Sequence, residues 1–147
     1  MVPLRVEPMA VVCHPNHRFA RRRLVMPADL NGEPFIAFDR ALPIRKAIDR
    51  ALRAHGAKVN LVMEFDNIET IKQAIIIAAG VSVLPRHTVQ KEAGIRTLAA
   101  VSFGVPDLVR PVGIIHRRQK PLTPTASRFV EMLKEASPAA APLAADR

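Results

Sequence analysis

His14 and His17 stand three residues apart, a spacing that brings two imidazoles to one metal ion if further ligands arrive from elsewhere. Only Cys13 is adjacent, and no Asp or Glu follows at a supporting distance, so the pair reads as part of a polar surface loop. Glu64, Asp66 and Glu69 form a second cluster, and neighbouring carboxylates are the raw material of acid–base catalysis. Helix capping explains two of them without chemistry, because Asp66 and Glu69 fall where a helix begins. The six glycines stand far apart, which excludes a Gly-rich phosphate loop. Ser82 lacks the glycine pair of a nucleophile elbow. No catalytic residue, metal or cofactor is expected, and an enzyme is disfavoured.

More is on offer at the helix starts. Pro34–Phe38 (PFIAF) reads as a buried strand and leads into an amphipathic helix from Pro43 to His55. Its inner stripe is Ile44, Ala47, Ile48, Ala51 and Leu52, while Arg45, Lys46, Asp49, Arg50 and Arg53 read as a solvated face. Val59–Phe65 is the next strand, and Asp66 or Asn67 caps the helix that follows. Asp66 with Glu69 resembles a capping box, and Gly80 suits a left-handed C-cap. Val81–Leu84 is a further strand, so strand, helix and strand form a parallel crossover. In such sheets ligands sit beyond the carboxyl ends of the strands. Both helices should aim backbone N–H groups at one crevice, with Arg40 and Arg45 close to the first start.

The remaining elements frame this crevice. Met9–Cys13 is a short apolar strand, followed by a basic loop from His14 to Arg23. Pro27–Leu30 forms a helical turn stopped by Asn31 and Gly32. His87–Ala93 is a short helix, Ile95–Val101 a weaker strand and Val109–His116 another, with Pro111 at an edge or bulge. Thr123 and Pro124 open a last helix with Ala126, Phe129, Val130 and Leu133 on its apolar face.

The 147 residues suffice for one domain with a core of Ile, Val, Leu and Ala, since aromatics are 4% of the chain. The net charge of +9 fits a basic surface or an anionic partner. No aromatics alternate with the scattered arginines as a base-stacking platform requires. One cysteine excludes an intrachain disulfide, and neither a membrane-length apolar run nor a signal-peptide pattern is present. The chain reads as soluble and cytoplasmic, with no membrane partner.

One ordered set of motifs adds a family. His17-Arg18-Phe19-Ala20, Asp29-Leu30, Pro34-Phe35-Ile36, Arg45, Ile48-Asp49 and Gly56 come first. Asn67-Ile68-Glu69-Thr70-Ile71-Lys72, Ala79-Gly80-Val81, Leu84-Pro85, Arg110-Pro111 and Phe129 follow. Over residues 8 to 135 this resembles the effector-binding domain of LysR-type transcriptional regulators. The resemblance implies an α/β, periplasmic-binding-protein-like (type 2) fold, with one complete subdomain and the returning part of a second. Residues 9–104 would be the second subdomain, 105–135 the returning strand and helix of the first, and 136–147 a disordered tail. The family's usual winged helix-turn-helix has no counterpart here, so the chain reads as a fragment that meets DNA only through a domain it lacks.

The implied function is sensing of a small, anionic effector in a cleft between subdomains, in order to modulate transcription. The pocket positions carried over are Arg40, Pro43, Ile44, Arg45, Asn67 and Ile68. The sequence departs from the family pattern at Pro43 and Ile44, where Ser or Thr is common just before the helix, at Ser82, where Gly is common, and at Arg18, where Pro is expected. Homo-oligomerisation, or association with an intact regulator as a stand-alone interaction module, is the accompanying expectation. An enzyme of the same fold is the third reading, and the missing catalytic cluster argues against it.

Overall fold

The computed structural model describes residues 1–117 and 120–137. Most of the expected tail therefore lies outside the described residues. The chain divides into two compact units, Pro8–Val109 and Met1–Glu7 with Arg110 onward. The first strand, β1 (Val2–Cys13), is longer than the apolar run Met9–Cys13. Val2, Leu4 and Val6 alternate with Pro3, Arg5 and Glu7, a period-two pattern that also specifies a strand.

In the larger unit the second half of β1 lies between two partners. β5 (Ser82–Pro85) and β6 (Ala99–Phe103) both pair with it antiparallel, and β2 (Leu24–Val25) extends the sheet parallel to β6. Register places Val11 opposite both Val83 and Val101, a row of side chains buried in the core. A strand covered on both faces needs a continuous apolar run, and Met9–Cys13 supplies it. The strand expected over Ile95–Val101 starts four residues later. Arg96 takes a left-handed φ of 59° and turns the chain, leaving Ile95 exposed and Leu98 buried.

A second, two-stranded sheet pairs β3 (Pro34–Phe38) with β4 (Asn60–Phe65) in parallel. Helix α1 (Pro43–Ala54) connects them. Pro43 pre-sets its first turn, and Gly56 stops it with φ +66°. Ile48 and Leu52 are buried, and Ile44, Ala47 and Ala51 pack against the same core, so the predicted stripe faces inward.

The crossover after β4 departs from the sequence reading in three ways. Helix α2 (Ile68–Ile76) is capped by Asn67 alone, whose Oδ1 accepts the Glu69 N–H at 2.7 Å; Asp66 takes no part. The left-handed residue after the helix is Ala78 (φ 59°), not Gly80. Gly80 is needed for space: a Cβ there would lie 2.6 Å from the Pro34 carbonyl oxygen. That close approach lets Val81 donate to Pro34 O and accept from the Ile36 N–H, each at 2.8 Å. Val81 thus runs parallel to β3, but Ser82–Pro85 passes on to pair with β1. The strands before and after α2 share a direction without being neighbours. A 3-10 turn at Arg86–Val89 and helix α3 (Gln90–Gly94) then lead to β6.

In the smaller unit β7 (Val109–Ile114) pairs with β1, and helix α4 (Pro124–Ala136) begins with Thr123 Oγ1 accepting the Ala126 N–H. Phe129 and Met132 of α4 are more than half exposed. Glu7 is buried between two arginines, each donating Nε–H to a different carboxylate oxygen at 2.9 Å: Arg5 to Oε1 and Arg110 to Oε2.

Candidate functional site

Parallel pairing of β3 and β4 sets Phe38 opposite Phe65, so both strands end at the same level. The Asp39 N–H donates to Phe65 O at 2.8 Å and ties the two exits together. The two strands thus end together, with Arg40, Pro43, Ile44 and Arg45 following β3 and Asn67 and Ile68 following β4. This is the geometry in which backbone N–H groups converge on a ligand.

Much of that donor capacity is already used. Asp39 holds the Ala41 N–H with its carboxylate at 2.8 Å and the Leu42 N–H with its carbonyl at 3.1 Å. The Arg45 and Lys46 N–H groups turn back to Leu42 O, and Pro43 has none to offer. Among the described residues Ile44 keeps the open donor of the α1 start. At α2, Glu69 is taken by the Asn67 side chain, which leaves Ile68 and Thr70.

The two candidate arginines differ sharply. Arg45 is not part of a solvated face but buried, at 8% exposure. Its Nε donates to both oxygens of Asp49 at 2.8 and 2.9 Å, and Nη1 donates to Phe38 O at 2.6 Å and Glu64 Oε2 at 3.0 Å. Burial works against its charge, and the hydrogen bonds and charges of Asp49 and Glu64 outweigh it, so it stays fully cationic. Its task is to brace the helix start, not to meet a ligand with a free charge. Arg40 is 77% exposed and reaches Glu64 only at 3.4 Å, so it is the available cation at this edge.

Glu64 links both arginines, a role that the sequence reading of Glu64, Asp66 and Glu69 as one acidic cluster misses. Glu69 instead pairs with Lys72 at 2.8 Å. The i, i+4 spacing of Arg45 and Asp49 was the visible signal for the buried network. The two histidines are also occupied. His17 contacts Glu33 at 3.2 Å and takes the Phe19 N–H, while His14 takes the Asn16 N–H. Among the described residues no group of three or more His, Cys, Asp or Glu side chains is placed to hold a metal. Cys13 is buried, and burial, aided by Glu33, pushes its thiol up to about 11, which makes it a poor nucleophile.

The comparisons with known proteins agree with this architecture. Residues 1–138 match the family described as LysR substrate binding domain. The chain is 32% identical over 132 residues to a RuBisCO operon transcriptional regulator of Allochromatium vinosum, covering 88% of this chain and 43% of that one. It is 30% identical over 134 residues to the HTH-type transcriptional regulator CbbR of Rhodospirillum rubrum, covering 91% and 44%. The chain thus spans less than half the length of these curated relatives. Among solved structures it resembles the CcmR regulatory domain of Synechocystis PCC6803 in complex with 2-PG, at 25% identity and TM-score 0.80, covering 92% of this chain and 65% of that one. The effector binding domain of QuiR in complex with shikimate has the same fold at 15% identity and TM-score 0.77, covering 92% and 64%. The fold is the α/β, periplasmic-binding-protein-like one of LysR regulatory domains, and among the described residues no helix is long and apolar enough to cross a membrane. The chain belongs to the LysR substrate-binding domain family, whose members are effector-binding parts of transcriptional regulators.

Proposed function

We propose that this chain senses a small carboxylate- or phosphate-bearing metabolite and passes its occupancy to a DNA-binding part of a transcription regulator. The observation that carries the reading is that α1 and α2 each follow the carboxyl end of a strand of the parallel pair β3 and β4, with the exposed Arg40, 3.4 Å from Glu64, after β3. Pro8–Val109 is then the second effector-binding subdomain, and the strand and helix from Arg110 onward belong to the first. The ligand is held by Arg40, by the open N–H of Ile44 and by Asn67 and Ile68, with Pro43 and Ile44 giving an apolar wall. Arg45 acts behind them. Pro43 in place of a hydroxyl residue favours an effector with fewer polar groups on that side. The chain acts in the cytoplasm without enzymatic activity of its own.

Titration calorimetry with 2-PG and shikimate, the ligands of two similar domains, and with a panel of small dicarboxylates tests the reading. Saturable binding to one of them, weakened about tenfold by Arg40→Gln, is expected. Heats that stay at the dilution level for the whole panel would sink it.

Self-association, or association with an intact regulator, is a second component of the reading. The exposed Phe129 and Met132 on α4 support it. Light scattering on the purified chain is expected to give a dimer or larger species; a monomer at high concentration would count against it. Promoter-specific DNA binding by this chain alone is not expected. Any binding driven by its +9 charge should fade steeply with salt.

A further inference from the structure

We propose that Arg86 and Ser102 form a separate binding site for a short aliphatic carboxylate. Arg86 follows β5 and Ser102 lies in β6, the two strands that flank β1. Register sets Pro85 opposite Met9 and Ser102 opposite Ala10, so both side chains come to the same end of the sheet. There the Arg86 Nη2 donates to Ser102 Oγ at 3.0 Å. Both residues line a cavity of about 180 Å³ whose other walls include Met9, Phe103, Val105 and Leu108. The cavity is built within Pro8–Val109, on different elements from the starts of α1 and α2.

Three observations set the ligand chemistry. First, among the described residues the half-buried Arg86 has only a neutral hydroxyl as partner, and none of the acidic ones lines the cavity. Among the described residues the other half-buried or buried arginines and lysines, Arg5, Arg45, Lys72 and Arg110, each hold a carboxylate. A guanidinium presents a planar fork that matches a carboxylate in bidentate fashion, and most of that fork is unused here. Second, the lining holds one cation and no other, which suits a single negative charge better than a doubly charged phosphate. Third, the side chains lining the cavity beside Arg86 and Ser102 are those of Pro8, Met9, Phe103, Val105, Pro106 and Leu108, so a short alkyl tail fits better than one that needs a further polar partner. The turn in which the Leu108 N–H donates to Val105 O at 3.1 Å closes that wall.

The test is a titration of the whole chain with sodium propionate, sodium phosphate and sodium chloride at matched ionic strength. Binding is followed by the methyl NMR signals of Val105 and Leu108 and by the thermal midpoint. Propionate is expected to shift both methyl signals saturably, with at least tenfold weaker binding in Arg86→Gln and an intermediate loss in Arg86→Lys. Arg40→Gln, at the other site, is expected to leave the propionate response unchanged. An Arg86→Gln chain with the wild-type midpoint and an undiminished response overturns the proposal. So does an equal response to phosphate, a response to chloride alone, or loss of the response in Arg40→Gln. If Arg86→Gln fails to fold, Ser102→Val supplies the variant, with the same weakening expected and an unaltered affinity overturning the site.

Discussion

Two arginines in this chain, one in the first turn of α1 and one after β5, end up with opposite tasks. Arg45, beside the start of α1, is enclosed by Asp49, Glu64 and the Phe38 carbonyl. Arg86, after β5, holds only the Ser102 hydroxyl. Proximity to a helix start made Arg45 look like a ligand contact, yet its charge is consumed by the fold. A cation inside a protein is available to a ligand only when the chain has not already supplied its counter-ions. By the same standard Lys72, held by Glu69, Glu92 and the Thr88 carbonyl, is not available, and Arg40, exposed but 3.4 Å from Glu64, is only partly so.

The largest effect is expected where the network is saturated. Arg45→Met should lower the unfolding free energy by about 3 kcal/mol, because Glu64, Asp49 and the Phe38 carbonyl lose their shared donor. Urea denaturation measures this directly, and a loss within experimental scatter would break the contrast with Arg86.

The next effect is pH-dependent. Burial alone would raise the Glu7 carboxyl, but the hydrogen bonds and charges of Arg110 and Arg5 hold it below its ordinary value of 4.5. A depressed folded value means that the stabilisation is complete above the unfolded-state value and is lost as pH falls through the folded one. The thermal midpoint should therefore stay level from neutral pH to about pH 5 and fall below it. Glu7→Gln should lower the neutral midpoint and flatten that acid limb. A limb of unchanged steepness would show that other carboxylates govern it; Glu92, lowered by Lys72, is the next to examine.

Ser82 sharpens the comparison from the polar, uncharged side. Its hydroxyl is buried with no hydrogen-bond partner among the described residues. Ser82→Ala should be neutral or stabilising by up to about 1 kcal/mol. A clear destabilisation would mean that the hydroxyl has a partner in solution. Smallest of all, Arg40→Gln and Arg86→Gln should each change stability by less than about 0.5 kcal/mol. An effect of Arg86→Gln comparable with that of Arg45→Met would make it a structural arginine as well.

The elements were largely legible because each depends on short-range patterns. Pro34–Phe38 is apolar throughout, Pro43 and Gly56 bracket α1, and Thr123 with Pro124 opens α4. Two of the misreadings share one cause, which is distance along the chain. Gly80 was assigned to a helix end from its local position, whereas its lack of a Cβ serves the approach of Pro34, forty-six residues away in sequence. Arg45 looked solvent-facing on a helical wheel because Glu64, on β4, is brought to it only by parallel pairing with β3. That α1 and α2 each follow a strand was legible from strand–helix order; that Arg45 is buried in ion pairs while Arg40 stays exposed was not.

The sequence by itself determined where strands and helices form, which face of α1 is inward and which family the motifs resemble. Those features rest on periodicity, caps and residue volume, all encoded within a few neighbouring positions. Only the tertiary structure decided that Val81 joins one sheet while Ser82–Pro85 joins another, and which cations are left without an acid. Hydrogen bonds and ion pairs form over about 3 Å, so they depend on which distant segments the fold packs together.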